Sequence, residues 1–338
     1  MFQRVPPPLP TPYTSTIRQS HSPPVMYMPH KPLLITLLLS MLVGLNACSL
    51  SVYDDLSKCL SRHINFAYTA DGETDVLSQH IRSGHLYVYY EDGRLAYDQA
   101  LSAMDLKHGV TLQNIHSGRW RIIVWGNLGD HSTITNTSSI ATAELAVRPE
   151  ASETYQTTDS LYYANTLVDL DALGKEEKAV VPFASAHVSL DVVVSGFDTF
   201  HRGGVRSHGN PQIRINQAGT YYTFTGYTST IPQPTRLKAF TPQLKHHAEQ
   251  DLYRARFDLL RIDEINGLTL DLTEEGSPSQ VLKSIDLQSY LATHHILLKG
   301  KHEVNIPILI SFTSLLEVTV QPFQWGVVNI SPNGFKSL

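Results

Sequence analysis

The sequence predicts a mainly β chain of two tandem β-sandwiches behind an N-terminal leader. Three observations carry this fold class. Short runs with period-two alternation recur along the chain, each bounded by Gly, Pro, Asn or Asp. Charged residues are only 17% of the 338, below the roughly 25% usual for soluble domains, while 16 Tyr and 11 Phe supply side chains suited to a pleated surface. Length is the third: at roughly 150 residues per domain, the chain holds two domains once the leader is set aside.

The leader comes first. Leu33 to Leu45 reads LLITLLLSMLVGL, an apolar run of about 13 residues, whereas a spanning helix needs about 20. Its length and the preceding Lys31 match the apolar core of a signal peptide. Leu45, Asn46, Ala47 and Cys48 follow directly, and this string resembles the bacterial lipobox. The chemistry it implies is a diacylglycerol thioether on Cys48, cleavage before it, and acylation of the new amine by a fatty acid such as palmitate. Each buried methylene contributes about 0.8 kcal/mol, so several chains anchor where one does not. Residues 1–47 are therefore read as a Pro-rich n-region and a signal peptide, with Met1, Met26 and Met28 as alternative starts. With Cys48 in a thioether, Cys59 has no partner in the chain, and a buried free thiol is its default reading.

Residues 48–61 form a short polar tether, and a first sandwich spans 62–178. In HINFAYT, Ile64, Phe66 and Tyr68 share one face. Residues 73–82 (ETDVLSQHIR) are expected to form a short helix with Thr74 as its cap. HLYVYY and RLAYD flank Asp92-Gly93, a strong hairpin signal. Arg119 to Trp125 is a further strand, broken by Gly126, Asn127 and Gly129. Residues 130–160 have little periodicity and are expected to be a loop with one helical turn at most. LYYANTLVDL is ambiguous, and Gly174 to Lys178 is a charged turn. A boundary near 174–182 opens a second sandwich, 179–338. AHVSLDVVVSGF, QIRIN, TYYTFTGY, TRLKAF, LYRARFDLL, LTLDL, VNIPILISFT and the region of SLLEVTVQPFQWGVV are its strand candidates. Turns are expected at Gly203-Gly204, Gly209-Asn210-Pro211, Asn266-Gly267 and Pro332-Asn333-Gly334.

From Cys48 onward the chain reads CSLSVYDDLSKC, ending at Cys59. This string resembles the mature N-terminus of the FimB/Mfa-type fimbrial anchor family of Bacteroidales. LYVYYEDGRL and GRWRIIVWGN are similar to segments of that family's first domain, AHVSLDVVVSGF to the first strand of its second domain, and VVNISPNGF gives a weaker C-terminal echo. Leu60 departs from the pattern, where a turn-starting residue is expected, and the C-terminal half shows only general β character. The resemblance implies two transthyretin-like sandwiches in a lipid-anchored, surface-exposed subunit. Such a subunit holds a shaft of fimbrillin at the outer membrane and limits its growth. A strand donated to an open groove in the first sandwich is the expected means of joining, because only about a dozen residues separate Cys48 from the first strand. Asp54 and Asp55 resemble surface-export signals of the phylum, and a solvated acidic tether is the competing reading.

Other chemistry is weighed against this. The net charge of −5 without clustered Lys and Arg excludes a nucleic-acid footprint. No P-loop, dinucleotide fingerprint, zinc-protease signature or Gly-x-Ser-x-Gly elbow is present. No catalytic residue and no cofactor is assigned. The adjacent pairs His246-His247 and His294-His295 point to opposite faces if extended, so no metal site is assigned. Asp159-Ser160-Leu161 matches a short O-glycosylation pattern of the phylum by resemblance, with an ordinary loop the stronger reading. Tyr87, Tyr89, Tyr90, Tyr221 and Tyr222 read as sheet faces before sugar platforms. The alternative functions are a surface lipoprotein that binds glycans or host proteins, a fimbrial tip subunit, and a remote lipid-anchored hydrolase.

Overall fold

Alternation sets the first strand, β1 (Arg62–Ala67), whose Ile64 and Phe66 are buried on one face with Tyr68 just beyond. The computed structural model describes residues 62–113, 115, 118–150, 153–170, 179–202, 209–225, 235–261, 267–314 and 317–323. Cys48, its lipobox, Asp54, Asp55, Cys59 and the turns at 203–204 and 332–334 lie outside these residues.

After β1, a helix expected over 73–82 is confined to Leu77–His80, and Thr74 does not cap it. The reason is local. Val76 N–H donates to the Tyr68 carbonyl, and the Asp75 carboxylate takes the N–H groups of both Tyr68 and Leu77. Residues 69–76 are thereby held as a loop, and the helix starts only after it. The hairpin of β2 (Gly84–Tyr90) and β3 (Leu95–Leu101) turns at Asp92-Gly93, where Gly93 has φ +85°. Ser102 and Asp105 form a capping box that opens a second helix, Ala103–His108. Gly109, at φ +79°, ends it; a Cβ there would lie 2.4 Å from the Ile64 carbonyl oxygen. β4 (Val110–Leu112), β5 (Gly118–Gly126), β6 (Ser132–Thr135), β7 (Glu144–Val147) and β8 (Tyr162–Leu170) follow. The segment read as a loop, 130–160, thus carries two strands. Both are only four residues long, below the window in which alternation is visible.

The chain continues through β9 (Ala179–Pro182), β10 (Ala184–Ser185), β11 (His187–Ser195), β12 (Pro211–Thr223), β13 (Thr235–Phe240), β14 (Lys245–His247), β15 (Leu252–Leu260), β16 (Thr269–Glu274), β17 (Lys283–Asp286), β18 (Asn305–Ser314) and β19 (Glu317–Gln321). QIRIN and the start of TYYTFTGY belong to one 13-residue strand, β12, bulged where Gln217 takes φ +62°. A short helix, Leu287–Thr293, is capped by Asp286.

The described strands make four sheets, mainly antiparallel. A three-stranded sheet, β4-β1-β9, faces a five-stranded one, β10-β8-β5-β2-β3. Between them lie Ile64, Phe66, Val88, Ile122, Val124 and Val181. A second pair, β14-β15-β11-β18-β19 and β17-β16-β12-β7-β6 with β13 beside β12, encloses a larger core. Strands do not sort by position in the chain. β6 and β7 join the sheet of β12, where Tyr222 pairs with Leu145, while β9 and β10 border the first pair of sheets.

The central strands β2 and β5 of this first five-stranded sheet, with the start of β8, are buried on both faces. The second face of the sheet carries Tyr87, Tyr89, Ile123, Trp125 and Tyr163, all in the larger core. Phe224, just past β12, meets Tyr87 edge-on at 5.3 Å, and Tyr222 stacks on Trp125 at 5.7 Å. Aromatic pairs of this kind are worth about 0.5–1.5 kcal/mol each beyond their burial. The tyrosine runs singled out in the sequence are therefore sheet faces and core at Tyr87, Tyr89 and Tyr222. Tyr90 lies against Trp120, and Tyr221 lies under the Arg236 guanidinium.

Candidate strand-accepting edge

The tether leads into β1, whose Arg62 is the first residue described. β1 is the central strand of the short sheet, so a strand added to the first sandwich would join at one of four ends: β4, β9, β3 or the free length of β8. Backbone parity separates them.

β4 is only three residues long. In β9, Phe183 N–H donates to the Ala67 carbonyl, so Val181 faces β1 while Val180 and Pro182 face outward. Pro182 has no N–H, which leaves Val180 the sole donor of that edge. β3 carries a bulge opposite Val88/Tyr89 and the carboxylate of Asp98 at its middle, both devices that blunt an edge.

β8 has neither. It pairs with β5 along all nine residues, from Gly126↔Tyr162 to Gly118↔Leu170. Its other side meets β10 only at Tyr162 and Tyr163. Ala186 N–H donates to the Leu161 carbonyl, so the odd-numbered residues of β8 face that side. The N–H and C=O of Leu167 and Asp169 therefore point away from β5, and among the described residues no strand pairs with them.

Apolar surface flanks this stretch. Leu167 is 39% exposed and Val180, on neighbouring β9, is 53% exposed. Beneath them, between the sheets, a pocket is lined by Ile64, Leu112, Ile115, Ile122, Val168 and Ala179. Its free space is only ≈ 10 Å³, room for about one water, so it is a shallow apolar depression between the sheets. A strand along β8 would alternate, one set of side chains over Val168 and the pocket, the other beside Leu167.

The opposite end of β8 is anchored firmly. Tyr162 O–H donates to Glu303 at 2.9 Å, and Tyr68 O–H donates to the same carboxylate oxygen at 2.5 Å, with His80 at 3.2 Å. Burial, reinforced by Glu303, raises the pKa of both phenols far above the ordinary tyrosine value. The Asp71 carboxylate takes the N–H groups of His302 and Glu303, and the Arg261 guanidinium holds the carbonyls of Leu298, Lys301 and His302. The loop before β18 thus clasps the start of β8, while the outer side of its C-terminal half meets no strand among the described residues.

The residues predicted from the sequence do not converge on this edge. Cys48, Leu45, Asn46, Ala47, Asp54 and Asp55 lie outside the described residues. His246 is exposed, stacked on Tyr253 at 4.2 Å and 3.1 Å from Asp198. Among the described residues no group of three His, Cys, Asp or Glu side chains could hold a metal ion. In Asp159-Ser160-Leu161, Asp159 takes the Gly129 and His131 N–H groups, Ser160 O–H donates to Asp258, and Leu161 is fully buried. No helix of the described residues is long and apolar enough to cross a membrane. Sequence reasoning missed the β8 edge. One signal was present: in YYANTLVDL, Leu167 is an apolar residue between the polar Asn165 and Asp169 on one face.

The model of the family described as Mfa2, fimbrillin-A associated anchor proteins Mfa1 and Mfa2, matches residues 56–331, well over half of the chain. No curated protein matches. Among solved structures, the fold is similar to a putative adhesin from Bacteroides ovatus, with TM-score 0.62 and 12% identity over 82% of this chain and 95% of that one. It is also similar to the fimbrial anchor protein Mfa2 from Porphyromonas gingivalis, with TM-score 0.58 and 15% identity over 78% and 97%. A putative polysaccharide binding protein from Bacteroides thetaiotaomicron gives TM-score 0.60 and 15% identity over 78% and 98%. At these identities the likeness is one of fold.

Proposed function

The chain belongs to the Mfa2 family of fimbrillin-A associated anchor proteins, and on that premise we propose that it is the lipid-anchored subunit at the base of a fimbrium. In this reading, lipid on Cys48 holds the protein at the outer membrane, surface-exposed, and the lowest fimbrillin of the shaft donates a strand to the free edge of β8. The chain ends the fibre there and so limits its growth. Asp54 and Asp55 serve export to the surface.

The observation that carries the reading is the outward row at Leu167 and Asp169, unpaired among the described residues and flanked by apolar surface, in a chain whose family is one of fimbrial anchors. Main-chain bonds at such an edge supply affinity for any strand, and the apolar surface of Leu167 and Val180 favours one with apolar side chains there. Deleting the gene tests the assignment. Fibres shed into the medium support it, whereas fibres still attached but without adhesion point to a tip subunit. Replacing Cys48 with Ser is expected to move the protein, and the fibres with it, out of the membrane fraction. An unmodified Cys48 thiol in the mature protein, read by mass spectrometry, would exclude the anchor chemistry.

A further inference from the structure

We propose that the outer face of the sheet β14-β15-β11-β18-β19 is a docking surface for residues 324–338 of this same chain. Alternation fixes which side chains that face carries. Val192 and Val194 on β11, with Ile308 and Ile310 on β18, point into the larger core. Asp191, Val193, Leu309 and Ser311 therefore point outward, and so does Leu252, which pairs with Ser195 of β11. A sheet face turned to water is polar and wet. This one is closed. Val193 and Leu309, partners in the ladder, are each 2% exposed, and Leu252 and Ser311 are buried as well.

Phe323 joins Val193, Leu252 and Leu309 in one cluster and is itself only 9% exposed. A phenyl ring resting alone on a sheet keeps its upper side in water, so a further layer lies over this one. The Ser311 hydroxyl is buried with no hydrogen-bond partner among the described residues and is aimed into the same layer. The chain itself leads there. β19 ends at Gln321, and Pro322 has no N–H with which to extend the ladder to β18. Phe323 follows on the outer face, and Gln-Trp-Gly-Val-Val-Asn-Ile runs on from Gln324 to Ile330. Extended, this run sets Trp325 and Val327 on the side of Phe323, a period-two series of apolar side chains that suits the cluster. Its backbone groups would supply the partner that the Ser311 hydroxyl lacks. The chain thus takes this face for itself and closes it to a second protein. The inference stands whatever strand β8 accepts.

The test labels thiols in the full mature chain carrying Cys48→Ser and Cys59→Ser. Leu309→Cys reports on the outer face and Ile310→Cys on the inner one, and both are expected to react slowly with a water-soluble maleimide. Adding Trp325→Ser and Val327→Ser is expected to speed labelling at position 309 at least about tenfold and to leave position 310 slow. Acrylamide quenching examines the face unperturbed: the emission lost in Trp325→Phe is expected to be as shielded as that of the buried Trp120 and Trp125. Labelling at position 309 as fast as in the unfolded chain before the Ser substitutions, or at an unchanged slow rate after them, overturns the proposal. So does a freely quenched Trp325, or a protection of position 309 that fades on dilution and so comes from a second copy. Fast labelling at position 310 marks an unfolded double variant, and the quenching of Trp325 then decides.

Discussion

Leu167→Pro isolates the strand-accepting edge from the fold that carries it. The Leu167 N–H points away from β5, so proline at this position costs the β5–β8 ladder nothing. A fixed φ also narrows the unfolded ensemble, which holds the expected stability change within about 1 kcal/mol. For an incoming strand the consequence is large. It would lose the hydrogen bond from residue 167, about 0.5–1.5 kcal/mol net, and leave its own carbonyl unpaired at about 1–3 kcal/mol. The sum of about 1.5–4.5 kcal/mol corresponds to an association constant lowered about 10- to 2,000-fold. The matched control is Val168→Pro, whose N–H faces β5 opposite Trp120; it is expected to lower the melting temperature as well as binding. The assay is retention of fibres on cells expressing each variant at equal surface level, with thermal melts of the purified proteins. Fibres retained at the parent level on a normally folded Leu167→Pro protein would refute the assignment of β8.

The remaining predictions concern the fold that holds the edge in place. Gly109→Ala places a side chain at φ +79° and against the Ile64 carbonyl oxygen, so a loss of at least about 2 kcal/mol is expected in denaturant titration. Asp191 is buried and takes two hydrogen bonds from Arg254, at 2.9 and 2.7 Å, on the outer side of β11. Asp191→Ala is expected to cost about 2–3 kcal/mol, below the full buried-pair value because Arg254 is partly exposed; urea unfolding measures it. Hydrogen bonds from Ser102 hold the Asp105 carboxyl below the usual carboxylate range. A depressed folded pKa contributes stability above the unfolded pKa and loses it as pH falls through the folded one. The protection factors of the Ala103–His108 amides are therefore expected to fall below about pH 4 in the parent, and Ser102→Ala to show the lower protection already at neutral pH.

How much was legible in the sequence follows from how far apart the interacting residues are. β1, the Asp92-Gly93 hairpin, β5, β11 and β15 were readable because alternation over six to nine residues, or a two-residue turn, is written locally. The resemblance drawn from CSLSVYDDLSKC and the segments after it agrees with the family that matches residues 56–331. The helix at Ala103–His108 had a local signal, Ser102 three residues before Asp105, that went unread. β6 and β7 had none: four residues each, they are strands because β12 supplies the partner of β7 75 and more residues away, and β7 then supplies the partner of β6.

The sequence by itself determined a mainly β chain of this family, because period-two burial and turn chemistry are properties of neighbouring residues. It did not determine which edge stands open. Whether a backbone N–H is satisfied depends on which strand lies beside it, and that is settled only when β10 stops after Ala184–Ser185 and Leu167 and Asp169 are left facing outward. Tertiary pairing likewise decided that Tyr87, Tyr89 and Trp125 are core: their side of the sheet is covered by Tyr222 and Phe224, from a strand far along the chain.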